Sequence, residues 1–505
     1  MNANIVVLNG ETLINLSQDT AVESDVAVGK TFHKADGSLA VGTNTGESLP
    51  EYDGKVIITG EPTQESGGLD INGVIREYEV NAGASVSAGD FVQFVNKFSR
   101  GEFHPGASNY ISACKLDNNR VLVAYQDAGN ASYGTAVVLT IDGTIVRAGV
   151  DKVFSTATTT SISVCALTDS KAVVSYGVTN SSSCSAVVLT IVGTDITVGT
   201  AKQMIGYLTD NLGTEIIGLT ESKALVLASY YNWTVSCYCV AFLLTINGTS
   251  ISLSNSVVIS PTGKRCLVQR ICAAKITNSA VIFAFDQADD SSASWATDYL
   301  RVGVVTIDSN DHLSVGSTVV AQSTSGSSST ARDFYSSLCV LNENTALIVY
   351  NRPSDNFLNC RMLSINGLTI GTISTTNIVA EAVTSSYVSI CALSERKALV
   401  SYHGKALILT IDIDNETISV GETIAFSSSS GTHRSTIPFS ESSALIVYNN
   451  GGTGKYASLS ITGSTIVIDE SSGTFVERAT SNLHSVGVAK TAGAEGEIVE
   501  VYCAV

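Results

Sequence analysis

This sequence predicts an all-β fold, and three observations predict it: a strand-forming composition, a repeated pattern of apolar strands, and a regular turn chemistry at two places in each repeat. The chain has 505 residues, 44% of them apolar and only 15% charged, with 42 Gly and 6 Pro. Ser, Thr, Val and Ile dominate the remainder, a composition of short strands joined by tight turns rather than of long helices. Its size allows more than one folded unit. Lys and Arg total 28 against 46 Asp and Glu, a net charge of -18, and a field of that sign repels phosphate backbones and anionic membranes. Nucleic acid is therefore excluded as an expected partner.

The repeat justifies the strands in order. Each copy opens with an apolar strand, a polar turn and a second apolar strand ending in an aromatic residue. The first reads Ile111 to Leu116, then Asp117-Asn118-Asn119-Arg120, then Val121 to Tyr125. The second reads Ile162 to Leu167, Thr168 to Lys171, and Ala172 to Tyr176. Later copies turn at Thr220, Thr277, Asn342, Ser394 and Ser440, with second strands ending near Tyr230, Phe285, Tyr350, Tyr402 and Tyr448. A third strand follows, ending at Ile141, Ile191, Ile246, Ile307, Ile365, Ile411 or Ile461, and most run into a glycine turn such as Asp142-Gly143, Asn247-Gly248 or Asn366-Gly367. Asn-Gly and Asp-Gly supply the positive φ of a two-residue hairpin. A fourth strand closes each copy. Seven copies of four antiparallel strands predict a seven-bladed β-propeller over residues 105–481.

The flanks fall outside the repeat. Residues 1–48 carry a compact β pattern around Asp36-Gly37, and residues 49–104 begin with a linker-like stretch. Val74 to Val80 and Val86 to Val95 then read as two strands with period-two alternation. Two strands alone are marginal, and residues 482–505 hold strands of the same character. The expected arrangement is one small split barrel or sandwich, with the propeller inserted between its halves.

The 11 cysteines read as packing residues. Cys114, Cys165, Cys339 and Cys391 share one repeat position at which other copies hold Ile217 or Ile437, so the thiol acts as a small buried hydrophobe. No signal peptide is legible, since the first basic residue is Lys30, and no apolar stretch approaches the ~20 residues of a membrane span. Folding in a bacterial cytoplasm with reduced thiols is the expectation.

Two stretches resemble known proteins. Leu13-Ile14-Asn15-Leu16 followed by Asp36-Gly37-Ser38-Leu39-Ala40-Val41-Gly42-Thr43 resembles a short module of tail and other virion proteins of phages infecting Gram-positive bacteria. Val86-Ser87-Ala88-Gly89-Asp90-Phe91-Val92, with Gly487-Val488-Ala489 and Ala494-Glu495-Gly496-Glu497, is similar to small β-domains of phage surface and capsid-decoration proteins. The resemblance implies a virion surface protein, joined to other virion proteins through its N-terminal and split β-domains and assembled as a homo-oligomer. It implies either a tail-associated receptor-binding role toward host-surface glycan or capsid decoration. It names no catalytic residue.

Candidate ligand residues sit where second strands pass to third strands, on one face of a propeller. Both tryptophans, Trp233 and Trp295, fall there, with Tyr231, Tyr299, Asp298, Arg352, Asp355 and Asn356. Rigid aromatics beside Asp and Asn suit a sugar. Tyrosines recurring at the second-strand ends read as packing. Enzymatic activity is not expected: the Ser-x-Asp-x-Gly-x-Thr-Trp turn of glycan-cleaving propellers does not occur, and the acidic pairs Asp289-Asp290 and Asp412/Asp414 lack an accompanying grouping. The start of a calcium loop at Asp412, Asp414 and Asn415 lacks its Gly and bidentate Glu. The six histidines show no ligand spacing, so neither metal nor cofactor is expected.

Overall fold

A computed structural model describes residues 100–142, 145–179, 183–205, 213–232, 236–260, 265–288, 298–324, 334–352, 357–379, 387–427 and 434–468, with strand backbone alone in parts of these and in the flanks. By contacts it divides into two compact units, Lys97–Gly473, and Met1–Asn96 together with Thr474–Val505.

The larger unit is built from antiparallel four-stranded meanders. In the third, Thr214–Thr220, Lys223–Asn232, Ser236–Asn247 and Ser250–Val258 pair in chain order. Seven such meanders occur among the described residues. Their first strands lie in Arg100–Lys115, Lys152–Thr168, Thr214–Thr220, Arg265–Thr277, Ser336–Asn342, Val388–Ser394 and Arg434–Ser440, and each contacts the next, the last returning to the first.

The second strands explain why the meanders stack in a ring. Val121 and Val123 belong to a cluster with Leu445 and Val447 of the last meander, whereas Leu122 and Ala124 belong to one with Val174 and Leu189 of the second. Alternate side chains of one strand thus enter opposite cores. Burial on both faces is why these strands read as unbroken apolar runs. Each hydrophobic cluster among the described residues joins two successive meanders, through to the pair formed by last and first.

Closure uses a segment the sequence pattern left outside the repeat. Strand Arg100–Lys115 is shared: from Ser108 onward it pairs with Arg120–Asp127, while its first half pairs with Thr453–Thr462, from Arg100 opposite Ala457 to Ala107 opposite Thr453. The outer strand of the last meander is thereby completed by chain preceding the first, and the ring begins at Arg100 rather than at residue 105. At the other end, Gly473–Arg478 joins the sheet of the smaller unit, not the last meander.

The turns follow their side chains. At the first hairpin the opening residue binds its own backbone two residues on: Asp117 Oδ1 accepts the Asn119 N–H at 2.8 Å, Thr277 Oγ1 the Ser279 N–H at 3.2 Å, and Asn342 Oδ1 the Asn344 N–H at 3.0 Å. The recurring isoleucine is fixed in register, since the N–H groups of Ile191, Ile246 and Ile461 each donate at 2.8 Å to the turn carbonyl of Ser170, Ser222 and Ser442. At the second hairpin the expected Asn-Gly turn is corrected. Asn247 pairs with Ser250 and Val192 with Asp195, so glycine is the first of two loop residues, with φ of 61° at Gly248 and 63° at Gly193. Their loop partners Thr249 and Thr194 are not at positive φ, which is the II′ pattern. The preceding residue ends the ladder and is free to vary among Asp, Val, Asn and Thr.

The smaller unit is described at the level of strands. Ile75–Glu79, Phe91–Lys97, Gly473–Arg478, Gly487–Ala489 and Ile498–Cys503 form one sheet, with Ile498 opposite Glu79 and Val488 opposite Phe91. Two hairpins, Ile5–Leu8 with Glu11–Asn15 and Thr31–His33 with Leu39–Val41, precede it.

Candidate functional site

A cavity of about 420 Å³ is lined by residues of all seven first strands and of the turns that lead into them. Register places it at the end of each meander where second strands pass to third strands, since Ser336 lies opposite Tyr350 and Val388 opposite Tyr402.

Two successive repeat positions make its wall. At the second of them stand Ser112, Ser337, Ser389 and Ser435, with Glu215 in the third meander and Cys272 in the fourth, and Ser163 holds the same register in the second meander without lining the cavity. The serines stitch neighbours together. The hydroxyls of Ser112, Ser163, Ser337 and Ser389 accept the N–H groups of Val164, Ile216, Ile390 and Thr436 at 3.1–3.2 Å, and Ser435 donates to the Ala113 carbonyl at 3.3 Å to close the ring. A position bound to the next strand's backbone needs a short hydroxyl side chain. The position before it holds Ile111, Ile162, Ile271 and Val388, and Arg434 in the last meander.

Glu215 and Arg434 are the carboxyl and the guanidinium among the described lining residues. Burial pushes the Glu215 carboxyl up to about 8, against a partial opposing effect of its hydrogen bond with Ser163. Burial likewise brings Arg434, 8% exposed, down to about 10. At neutral pH the carboxyl is therefore mostly protonated and the guanidinium charged. Tyr110, Tyr335 and Tyr387 complete the rim, the last two packed edge to face with centroids 5.3 Å apart.

The described ones among the residues singled out by sequence, Tyr231, Tyr299, Asp298 and Arg352, do not line this cavity. Tyr231, Asp298 and Arg352 are strand residues rather than loop residues, opposite Cys237, Ala288 and Phe357. Tyr299, also in a strand, is half-buried with the Arg301 guanidinium 5.6 Å from its ring centroid. Trp233, Trp295, Asp355 and Asn356 fall outside the described residues, as do Asp289 and Asp290. Asp414 is engaged by Arg396 at 2.7 Å, and Asp412 accepts the Asn415 backbone and side-chain N–H groups. Among the described residues, no group of three His, Cys, Asp or Glu is placed to hold a metal ion, and no helix is long and apolar enough to cross a membrane.

The recurring tyrosines pack. Tyr125, Tyr176, Tyr350, Tyr402 and Tyr448 are all at most 3% exposed. Tyr125, Tyr176 and Tyr448 each meet a phenylalanine of the preceding outer strand or its end, Phe103 at 5.4 Å, Phe154 at 5.3 Å and Phe426 at 4.9 Å between centroids. In the third meander Ala228 occupies this position, opposite Thr214, and Tyr230 lies two residues beyond it. The four repeat cysteines occupy one register, opposite Leu122, Val173, Leu347 and Leu399. Burial pushes the Cys165 and Cys339 thiols up to about 12, which leaves them unreactive.

Strand pairing and the closed ring of meanders define a β-propeller protein. No family model matches the chain, and no curated protein matches it. Among solved structures it is similar to a Hadza microbial sialidase, at 8% identity over 77% of this chain and 96% of that one, TM-score 0.42. It is also similar to the periplasmic gluconolactonase of Pseudomonas aeruginosa, at 11% identity over 64% and 86%, TM-score 0.40. A third is the α-L-arabinofuranosidase of Fusarium graminearum in complex with arabinobiose, at 12% identity over 72% and 98%, TM-score 0.41. Likeness at this level says nothing of activity.

Proposed function

We propose that this protein binds a glycan at the propeller cavity, without cleaving it, as a surface component of a phage virion. The cavity carries the reading. Its wall sets Ser, Thr and Tyr hydroxyls beside the Tyr335 and Tyr387 rings, and a sugar offers hydroxyls and apolar ring faces together. Its volume of about 420 Å³ falls in the range of small-ligand sites. Binding without cleavage follows the sequence reading, in which the Ser-x-Asp-x-Gly-x-Thr-Trp turn of glycan-cleaving propellers does not occur. The virion context is supported by the phage-like motifs at Leu13–Leu16 and Asp36–Thr43, and it brings other virion proteins and further copies of the chain as partners.

The test incubates the full chain with a panel of immobilised bacterial surface polysaccharides, reading protein retained and reducing ends released. Retention on at least one polysaccharide with no new reducing ends is expected. Release of reducing ends, or retention on none, overturns the reading. The virion context is read separately, by quantitative mass spectrometry of particles from cells expressing the chain's phage. A few copies per particle support a tail-associated receptor-binding role, hundreds support capsid decoration, and none overturns both.

A further inference from the structure

We infer that this cavity takes the free end of a glycan chain, its terminal sugar inserted tip first, and not an internal stretch of a polymer. The inference rests on the glycan reading above and names the part of the glycan that the site recognises.

The wall supplies the first argument. All seven meanders contribute to the lining, so a ligand in the cavity is ringed by first strands, and a bridge spans each of the seven junctions between them. At four junctions a serine hydroxyl, from Ser112, Ser163, Ser337 or Ser389, accepts an N–H of the next first strand at 3.1–3.2 Å. Ser435 joins the last strand to the Ala113 carbonyl of the first at 3.3 Å. At the two remaining junctions Lys275 donates to the Leu219 carbonyl at 2.7 Å, and Cys272 Sγ lies 3.5 Å from Ser336 Oγ. A polymer entering and leaving sideways would have to part this ring.

Depth supplies the second. Along the first strands the lining runs from Tyr335 to Leu338 and from Tyr387 to Ile390, three residues, or about 10 Å at the rise of a strand. The lining ends there. The next side chains, Cys339 and Cys391, belong to the cores between meanders. One residue deeper again, the second and third first strands approach so closely that a Cβ on Gly218 would come within 2.5 Å of the Ala166 carbonyl oxygen. The cavity is thus a cup rather than a tunnel, and its volume of about 420 Å³ suits a ligand of small-molecule size.

The rim of the first two meanders is built at a conformational cost. Tyr110 and Ser161 hold the same repeat position, line the cavity and both have φ of 48°, a region disfavoured for any residue with a Cβ. Each lies in a bulge, where the ladder to the second strand jumps from Asn109 to Ser112 and from Thr160 to Ser163. Bulges re-aim side chains beside binding sites, and here the strand continues past the rim, with Asn109 paired to Gln126 and Thr160 to Gly177. The wall on this side therefore rises above the cavity as paired strand. An internal sugar, with chain on both sides, needs two exits from such a cup, whereas a chain end needs one.

The test uses dextran, mannan and galactan of known mean chain length. Retention of the full chain on each immobilised polymer is competed with the same polymer in solution, either intact or after partial acid hydrolysis that raises the number of chain ends per gram tenfold. For at least one polymer, the mass that displaces half of the protein is expected to fall about tenfold on hydrolysis. Borohydride reduction of the hydrolysed competitor then tells which end enters: loss of competition marks the reducing end and unchanged competition the non-reducing tip, and either upholds the inference. Retention with a half-displacing mass that falls less than twofold overturns the inference while the glycan reading stands. Retention on none of the three polymers also overturns it, and the polysaccharide panel then decides the broader reading.

Discussion

Glu215 is the residue at which the proposed binding site departs from the repeat at a cost in stability. Its carboxyl, held at about 8 in the folded chain, titrates near 4.3 when unfolded. Stability contributed by the neutral form is therefore complete below the unfolded value and lost as pH rises from there through about 8. Glu215→Ser restores the residue of five other meanders and removes this loss. The variant is expected to be more stable than the natural chain at pH 9, by up to about 5 kcal/mol, and nearly equal to it at pH 4.5. A difference that does not grow with pH contradicts the assignment. Such a residue was legible only by aligning the copies: a lone Glu in a strand has no motif, yet Glu against Ser112, Ser163, Ser337, Ser389 and Ser435 is a clear exception. The cysteines were legible for the opposite reason, because they recur where other copies place isoleucine.

Elements in this fold are shaped as much by their neighbours as by their own sequence. The outer strands break at glycines that lie against the next meander's second hairpin. A Cβ on Gly199 would come within 2.5 Å of the Thr249 carbonyl oxygen, and one on Gly421 within 2.6 Å of the Ser464 carbonyl oxygen. Gly193, by contrast, has φ of 63° and nothing near its missing Cβ. Gly199→Ala is thus expected to cost about 1–3 kcal/mol by forcing two meanders apart, and Gly193→Ala about 1–2 kcal/mol through backbone strain alone. Denaturant titration of both, with hydrogen exchange at Ser250–Val258, checks this: only Gly199→Ala should speed exchange in that neighbouring strand. Turn residues were readable because their chemistry is local. The II′ register was not, since Asn-Gly and Gly-Thr turns share the same glycine and differ only in which residue ends the ladder.

At the level of the molecule, closure was the feature hidden from the sequence. The pattern of Arg100–Ala107 is irregular, and its partner strand Thr453–Thr462 lies at the other end of the repeat. Phe103 is the packing residue of the closure, 4% exposed, against Tyr125 at 5.4 Å. Its counterpart Phe154 packs in the same way on Tyr176, between the first two meanders. Phe103→Ala is expected to lower stability by about 3–5 kcal/mol and to expose Arg100–Ala107 to hydrogen exchange, as a break where the ring closes would. Loss of stability without faster exchange in that segment contradicts its closing role. The cavity was likewise beyond reach of a linear reading, since each meander contributes only a few residues that meet through the ring, whereas attention to aromatics drew the candidate residues to the second-to-third connections.

The measurement that tests the central claim most directly is retention on the polysaccharide panel by the natural chain and by a Tyr335→Ala, Tyr387→Ala double variant, with melting temperatures taken alongside. Both rings belong to the cavity wall and to one edge-to-face pair. The account predicts that the natural chain is retained on at least one polysaccharide and that the folded double variant loses tenfold or more in affinity for it. Equal retention of the two proteins would place the ligand elsewhere and contradict the account.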